Sequence, residues 1–140
     1  MMGLPDNLKS TRYAFPAYDN LAFDSQLRFA NVGTANTTVT VKVGNLLTAN
    51  YLLAPNESRR ISFAGQSGGP IVIQSSGGVP IIASLRVVPR PSNGSFSEIM
   101  GLPQSQWGTN YIFPWYNSAG LDTVMFDIQD VGARFYTYIW

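Results

Sequence analysis

Apolar and polar residues alternate with a period of two along most of this chain, and helical periodicity is nearly absent. Phe23, Leu27 and Phe29 fall on one side of a strand, with Asp24, Gln26 and Arg28 on the other. Val39, Val41 and Val43 alternate with Thr38, Thr40 and Lys42, the mark of a sheet with one solvated face. Ile61 and Phe63 alternate with Arg60 and Ser62, and Ile81, Ala83, Leu85 and Val87 make one face of a longer strand. Ile71-Val72-Ile73 and Ile81-Ile82 are denser, as expected for strands in the middle of a sandwich. Further on, Val124, Phe126 and Ile128 share a face, and residues 134–140 read as a last, aromatic strand. Turn clusters separate these runs at Gly44-Asn45, Pro55-Asn56, residues 65–69, residues 75–78 and residues 91–94. Within the last of them, Asn93-Gly94 is a hairpin signal. Helix is expected only as single turns near residues 6–9 and 104–106. The pattern predicts an all-β antiparallel sandwich of about ten short strands with almost no helix.

The chain also repeats itself. Met2-Gly3-Leu4-Pro5 recurs as Met100-Gly101-Leu102-Pro103, an offset of 98 residues. At the same offset Thr11, Tyr13, Phe15, Pro16, Tyr18 and Asp24 recur as Thr109, Tyr111, Phe113, Pro114, Tyr116 and Asp122. Val32-Gly33 then matches Val131-Gly132 at an offset of 99, a one-residue slip of the kind a β-bulge introduces. The second copy covers residues 99–140 and lacks a counterpart of residues 42–98. Its 42 residues are too few to bury a core alone. Residues 1–98 are therefore expected to form a complete sandwich. Residues 99–140 are expected to form a partial copy packed on the first or on a neighbouring chain.

Composition narrows the chemistry. The 140 residues include no Cys and no His, which excludes thiol nucleophiles, disulfides, imidazole-based triads and His- or Cys-ligated metals within this chain. Nine Lys and Arg against eight Asp and Glu leave a net charge of +1, without the basic surplus of a nucleic-acid binder. The first ten residues carry no signal-peptide pattern, and no apolar run reaches the roughly 18–20 residues of a membrane helix. No nucleic acid, no membrane insertion and no cofactor are expected.

Asn31-Val32-Gly33 leading into the Thr/Val-alternating run to Val41 resembles the strand–turn–strand of immunoglobulin-like modules on bacterial surface proteins. Residues 53–63, beginning Leu53-Ala54-Pro55-Asn56-Glu57-Ser58, are similar to a turn and strand of the same modules, with Asn56 where Gly is usual. Residues 79–84 and 113–117 resemble tandem repeats of large extracellular proteins in filamentous green bacteria. The resemblance implies an immunoglobulin-like sandwich and an extracellular or cell-surface setting, and carries no catalytic residues.

Two functions follow as expectations. The first is a non-catalytic structural or assembly module that associates with itself or with neighbouring repeats through sheet edges. The alternative is a carbohydrate-binding module that stacks sugars on exposed aromatics. Tyr18, Trp115, Tyr116 and Trp140 are the candidate glycan or interface contacts, drawn from 18 aromatics. Trp115 stands out because its repeat counterpart is Ala17, so it is not part of a shared core. A calcium site on Asp122, Asp127 and Asp130 suits hard oxygen ligands but lacks an EF-hand pattern, and no metal is assigned. The carboxylates are otherwise expected to satisfy backbone N–H groups at turns and strand ends.

Overall fold

The computed structural model describes residues 5–92 and 94–110. A 3-10 turn at Asp6–Leu8 leads into β1 (Arg12–Phe15), β2 (Tyr18–Asp19), β3 (Phe23–Asn31), β4 (Thr37–Val43) and β5 (Leu47–Leu53). There follow β6 (Ser58–Ile61), β7 (Ser67–Gly68), β8 (Ile71–Ser75) and β9 (Ile81–Pro89). The last are β10 (Ser97–Met100), β11 (Leu102–Pro103) and a second 3-10 turn at Gln104–Gln106. One sheet has the order β11-β1-β8-β4-β5 and the other β10-β9-β3-β6, while β2 and β7 form a two-stranded ribbon. Every strand pair among the described residues is antiparallel.

Period-two alternation becomes an inside and an outside. Leu27 and Phe29 of β3 and Ala83 and Leu85 of β9 face Val39, Val41 and Val43 of β4 and Ile71 and Ile73 of β8 in one buried cluster. Each large apolar side chain taken out of water there contributes roughly 1.5–3 kcal/mol before chain entropy is counted. The all-β antiparallel sandwich forms as the pattern predicts. Its strand order is nested: β3 pairs with β9 around the inner pair β4 and β8. In an immunoglobulin sandwich the second strand instead shares its sheet with the first, fifth and fourth.

Several local features depart from the simple pattern. β5 was hidden by Leu46 and Leu52, both exposed, which blur the inward register of Leu47, Ala49, Tyr51 and Leu53. Phe23, at the start of β3, is 39% exposed although it lies in register with Leu27. Residues 65–69 hold more than a turn, because Ser67 and Gly68 pair with β2. Gly94 falls between β9, which ends at Pro89, and β10, which begins at Ser97, a connection longer than a two-residue hairpin, while Asn93 lies outside the described residues. Asn56 has φ 62°, the left-handed conformation in which Gly or Asn costs least, which accounts for Asn in a place where Gly is usual.

The two asparagines drawn into the core are paired. Asn31 donates from Nδ2 to Ala35 O at 2.8 Å and accepts Gly33 N–H at 2.9 Å, pinning the turn after β3. Asn20 donates to Ser62 Oγ at 2.9 Å and accepts from Arg90 Nη2 at 2.9 Å. Such bonds offset the desolvation of amides that would otherwise oppose folding by 1–3 kcal/mol each.

Candidate functional site: the seam closed by the second copy

The duplicated residues converge on one place. β10 runs along β9 with Ile99 opposite Leu85 and Met100 opposite Ser84. The chain then crosses to the other sheet, and Leu102 and Pro103 pair with Ala14 and Tyr13 of β1. Gly101 sits at the crossing, buried, and donates its N–H to Ala83 O at 2.9 Å. A Cβ on Gly101 would lie 2.9 Å from Phe15 Cζ and 3.0 Å from Tyr13 Cβ. Residues 99–103, from the second copy, thus complete both sheets built by the first.

Both sides of this contact are duplicated. Met100-Gly101-Leu102-Pro103 repeats residues 2–5, and the rings that receive it, Tyr13 and Phe15, repeat as Tyr111 and Phe113. The turn that follows is duplicated in geometry as well. Asp6–Leu8 and Gln104–Gln106 are both 3-10 turns 98 residues apart, with Pro5 and Pro103 as N-caps at φ −56°, ψ 146° and φ −68°, ψ 148°. In each, the residue after the turn donates its N–H back across it at 3.2 Å, Lys9 to Asp6 O and Trp107 to Gln104 O. Only the prolines are shared between these two short sequences, so the conformation follows from a fixed proline φ ahead of a turn.

Side chains lock the seam. Trp107 Nε1–H donates to Leu102 O at 3.1 Å, and the Arg12 guanidinium lies 4.9 Å from the Trp107 ring centroid. Tyr13 is fully buried and its hydroxyl donates to Leu8 O at 2.9 Å. Burial pushes the Tyr13 phenol up to about 12, against a smaller opposing pull from a backbone bond with Ser10. Gly101 and Trp107 were not singled out from sequence. The signal was present, since Gly101 lies inside the duplicated tetrapeptide and Trp107 replaces Lys9 of the first copy.

Tyr18 is corrected from a surface contact to a core anchor. It is 1% exposed, its hydroxyl donates to Ser25 O at 2.9 Å and accepts Phe63 N–H at 2.7 Å, and its ring meets Phe63 edge-on at 5.9 Å. A buried ring with both hydroxyl roles filled offers no face to a sugar. Trp115, Tyr116 and Trp140 lie outside the described residues, as do Asp122, Asp127 and Asp130. Of the described aromatics, Phe23 and Phe96 are exposed and Trp107 is half-buried; Trp107 and Phe96 each carry a guanidinium over the ring, Arg86 standing 3.6 Å from the Phe96 centroid.

The described carboxylates are engaged in local structure. Asp19 Oδ1 accepts the N–H groups of Leu21 and Ala22, and Glu57 accepts Ala54 N–H at 2.9 Å. Glu98 accepts from Ser84 Oγ at 3.1 Å, and Asp6 pairs with Lys9. The Asp24 carboxyl is held below its usual range, chiefly by the Gln26 amide and with help from Ser62, Asn20 and Arg90. Among the described residues no three acidic side chains gather as a metal site.

Comparison with known proteins gives a fold and a short family match. Residues 105–140 match the family described as exo-beta-N-acetylmuramidase NamZ, N-terminal. That is about a quarter of the chain, and only residues 105–110 of it are described. A search of curated proteins finds no match. The crystal structure of Thermotoga maritima 1070 is similar with a TM-score of 0.50 at 14% identity, over 69% of this chain and 96% of that one. At that identity the likeness is one of fold.

Proposed function

We propose that this chain is a non-catalytic repeat module of an extracellular array, in which the opening residues of each copy close the sandwich of the copy before it. One observation carries the reading: the residues duplicated at the 98-residue offset include both partners of the seam, the Met-Gly-Leu-Pro segment and the Tyr-x-Phe strand that receives it. A single-domain protein needs one such seam. A second full set of partners has a use when further copies follow or precede. In the first copy, three residues separate the 3-10 turn ending at Leu8 from β1 beginning at Arg12. Consecutive modules built this way abut without a flexible linker and form a stiff spacer. The surface-module resemblance supports the extracellular setting through its turn motifs.

The test uses a chain ending at residue 98. It is expected to aggregate or unfold without a cooperative transition, and to be rescued in trans by a peptide of residues 97–110. A peptide of residues 1–10 extended by the β10 sequence at its start should compete with the rescuing peptide, because the two tetrapeptides are interchangeable in the seam. A truncated chain that stays monomeric and unfolds like the full chain refutes the reading. So does a first-copy peptide with no competing activity.

The alternative reading is a carbohydrate-binding module, set beside the short match of residues 105–140 to the family described as exo-beta-N-acetylmuramidase NamZ, N-terminal. It depends on Trp115, Tyr116 and Trp140. Polysaccharide pull-down that disappears in Trp115→Ala would raise it above the module reading.

A further inference from the structure

The outer face of the five-stranded sheet holds a groove of about 420 Å³, within the size range of small-ligand sites. Arg12, Gln74 and Thr40 stand in register across three adjacent strands, with Asn50 next in the same row. Lys42 lies one row over, beside Val72, which with Pro70 gives the groove an apolar patch. The far wall is the β4–β5 hairpin tip, Gly44-Asn45, fastened by the Gly44 N–H bond to Pro70 O at 2.8 Å. That wall has no room for a side chain at Gly44, where φ is 48° and a Cβ would meet Gly69 O at 2.7 Å.

The charges are unbalanced. Two cations line the groove and no carboxylate does. Among the described residues the ion pairs are Lys9 with Asp6, Arg59 with Glu57 and Arg90 with Asp24, and neither Arg12 nor Lys42 has an anionic partner among those residues. Arg12 Nε is buried without a hydrogen-bond partner, and the guanidinium lies 4.9 Å from the Trp107 ring centroid. Thr40 donates its hydroxyl to Asn50 Oδ1 at 2.7 Å, which leaves its oxygen as an acceptor. The Gln74 amide supplies both a donor and an acceptor.

We infer that this groove binds an acidic sugar, a uronate unit within a polysaccharide. Arg12 and Lys42 take the carboxylate through charge-assisted bonds, Gln74, Thr40 and Asn45 take ring hydroxyls, and Val72 with Pro70 receives a C–H face. A phosphate site would instead present free backbone N–H groups from a nest or a helix N-terminus, and the Gly44 N–H is already used. An acidic peptide would favour a sheet edge, where backbone pairing is available. This groove lies over the strands and presents side chains.

The experiment titrates the full chain with oligogalacturonate and with its neutral methyl ester, following heat of binding and amide shifts in β4 and β8. Saturable, salt-sensitive binding of the acid form is expected, with shifts at Val72 and Gln74. Lys42→Gln should weaken it about two- to fivefold, the size of one exposed charged contact. Gln74→Ala should weaken it as well, and Arg60→Gln, on the opposite sheet, should leave it unchanged. Absence of saturation, equal binding of the ester, or equal weakening by Arg60→Gln overturns the assignment. Polyglutamate bound as tightly as the oligouronate also overturns it, in favour of a protein partner.

Discussion

Gly101→Ala isolates the packing of the seam from its hydrogen bonds. The added methyl would lie 2.9 Å from Phe15 Cζ and 3.0 and 3.1 Å from Tyr13 Cβ and Cδ1. Ordinary carbon contacts are 3.5–4.0 Å, so the neighbours must each retreat by about half an ångström. Phe15 can yield at its ring tip. Tyr13 cannot, because its Cβ is fixed to β1 and its hydroxyl is held by Leu8 O. Overpacking of this kind costs about 1–3 kcal/mol. For a chain of 140 residues, 2 kcal/mol lowers the melting temperature by roughly 7 °C. The control is Gly108→Ala, just past the seam, where a Cβ meets nothing within 4 Å. Urea unfolding followed by Trp fluorescence should separate the two variants by about 2 kcal/mol, with Gly108→Ala near wild type. Hydrogen exchange should show the loss first at Gly101 and in β9 beside it. If Gly101→Ala and Gly108→Ala unfold at the same urea concentration, the crossing is not packed as described and the seam loses its physical basis.

Other expectations test separate links. Tyr18→Phe strips an acceptor from Phe63 N–H and a donor from Ser25 O, and should cost about 1–3 kcal/mol in chemical denaturation without changing the fold. Tyr13 should resist ionisation until near pH 12, with an ultraviolet tyrosinate titration as the readout. A raised folded pKa means the contribution is complete below the ordinary value of 10.0 and is lost as pH rises from there through about 12. At the acid end, Asp24 has a lowered folded pKa, so its contribution is present above the ordinary carboxylate value and fades as pH falls through the folded one. Asp24→Asn should flatten that acid limb of stability against pH. Asn56→Gly should leave stability within a few tenths of a kcal/mol while Asn56→Ala lowers it by about 1 kcal/mol, because φ 62° disfavours a β-carbon that brings no local hydrogen bond.

The sequence by itself determined the all-β class, the inward faces of β3, β4 and β9, the dense apolar run of β8, both 3-10 turns and the duplication. Each of these is local. A period of two fixes which side chains share a face, and a proline ahead of a short turn fixes φ wherever it occurs. Tertiary structure decided what those faces meet. Nothing in the spacing of Tyr18 distinguishes a sugar platform from a core ring, since burial depends on Phe63, Ser25 and Asn20 arriving from elsewhere in the chain. The alternating pattern of β5 was lost locally to Leu46 and Leu52, and its place was set by pairing with β4. The nested order of the sheets, the steric demand at Gly101 and the row of Arg12, Gln74 and Thr40 are likewise long-range. They arise where strands far apart in sequence come into register, and period-two patterning is the same for every partner a strand could choose.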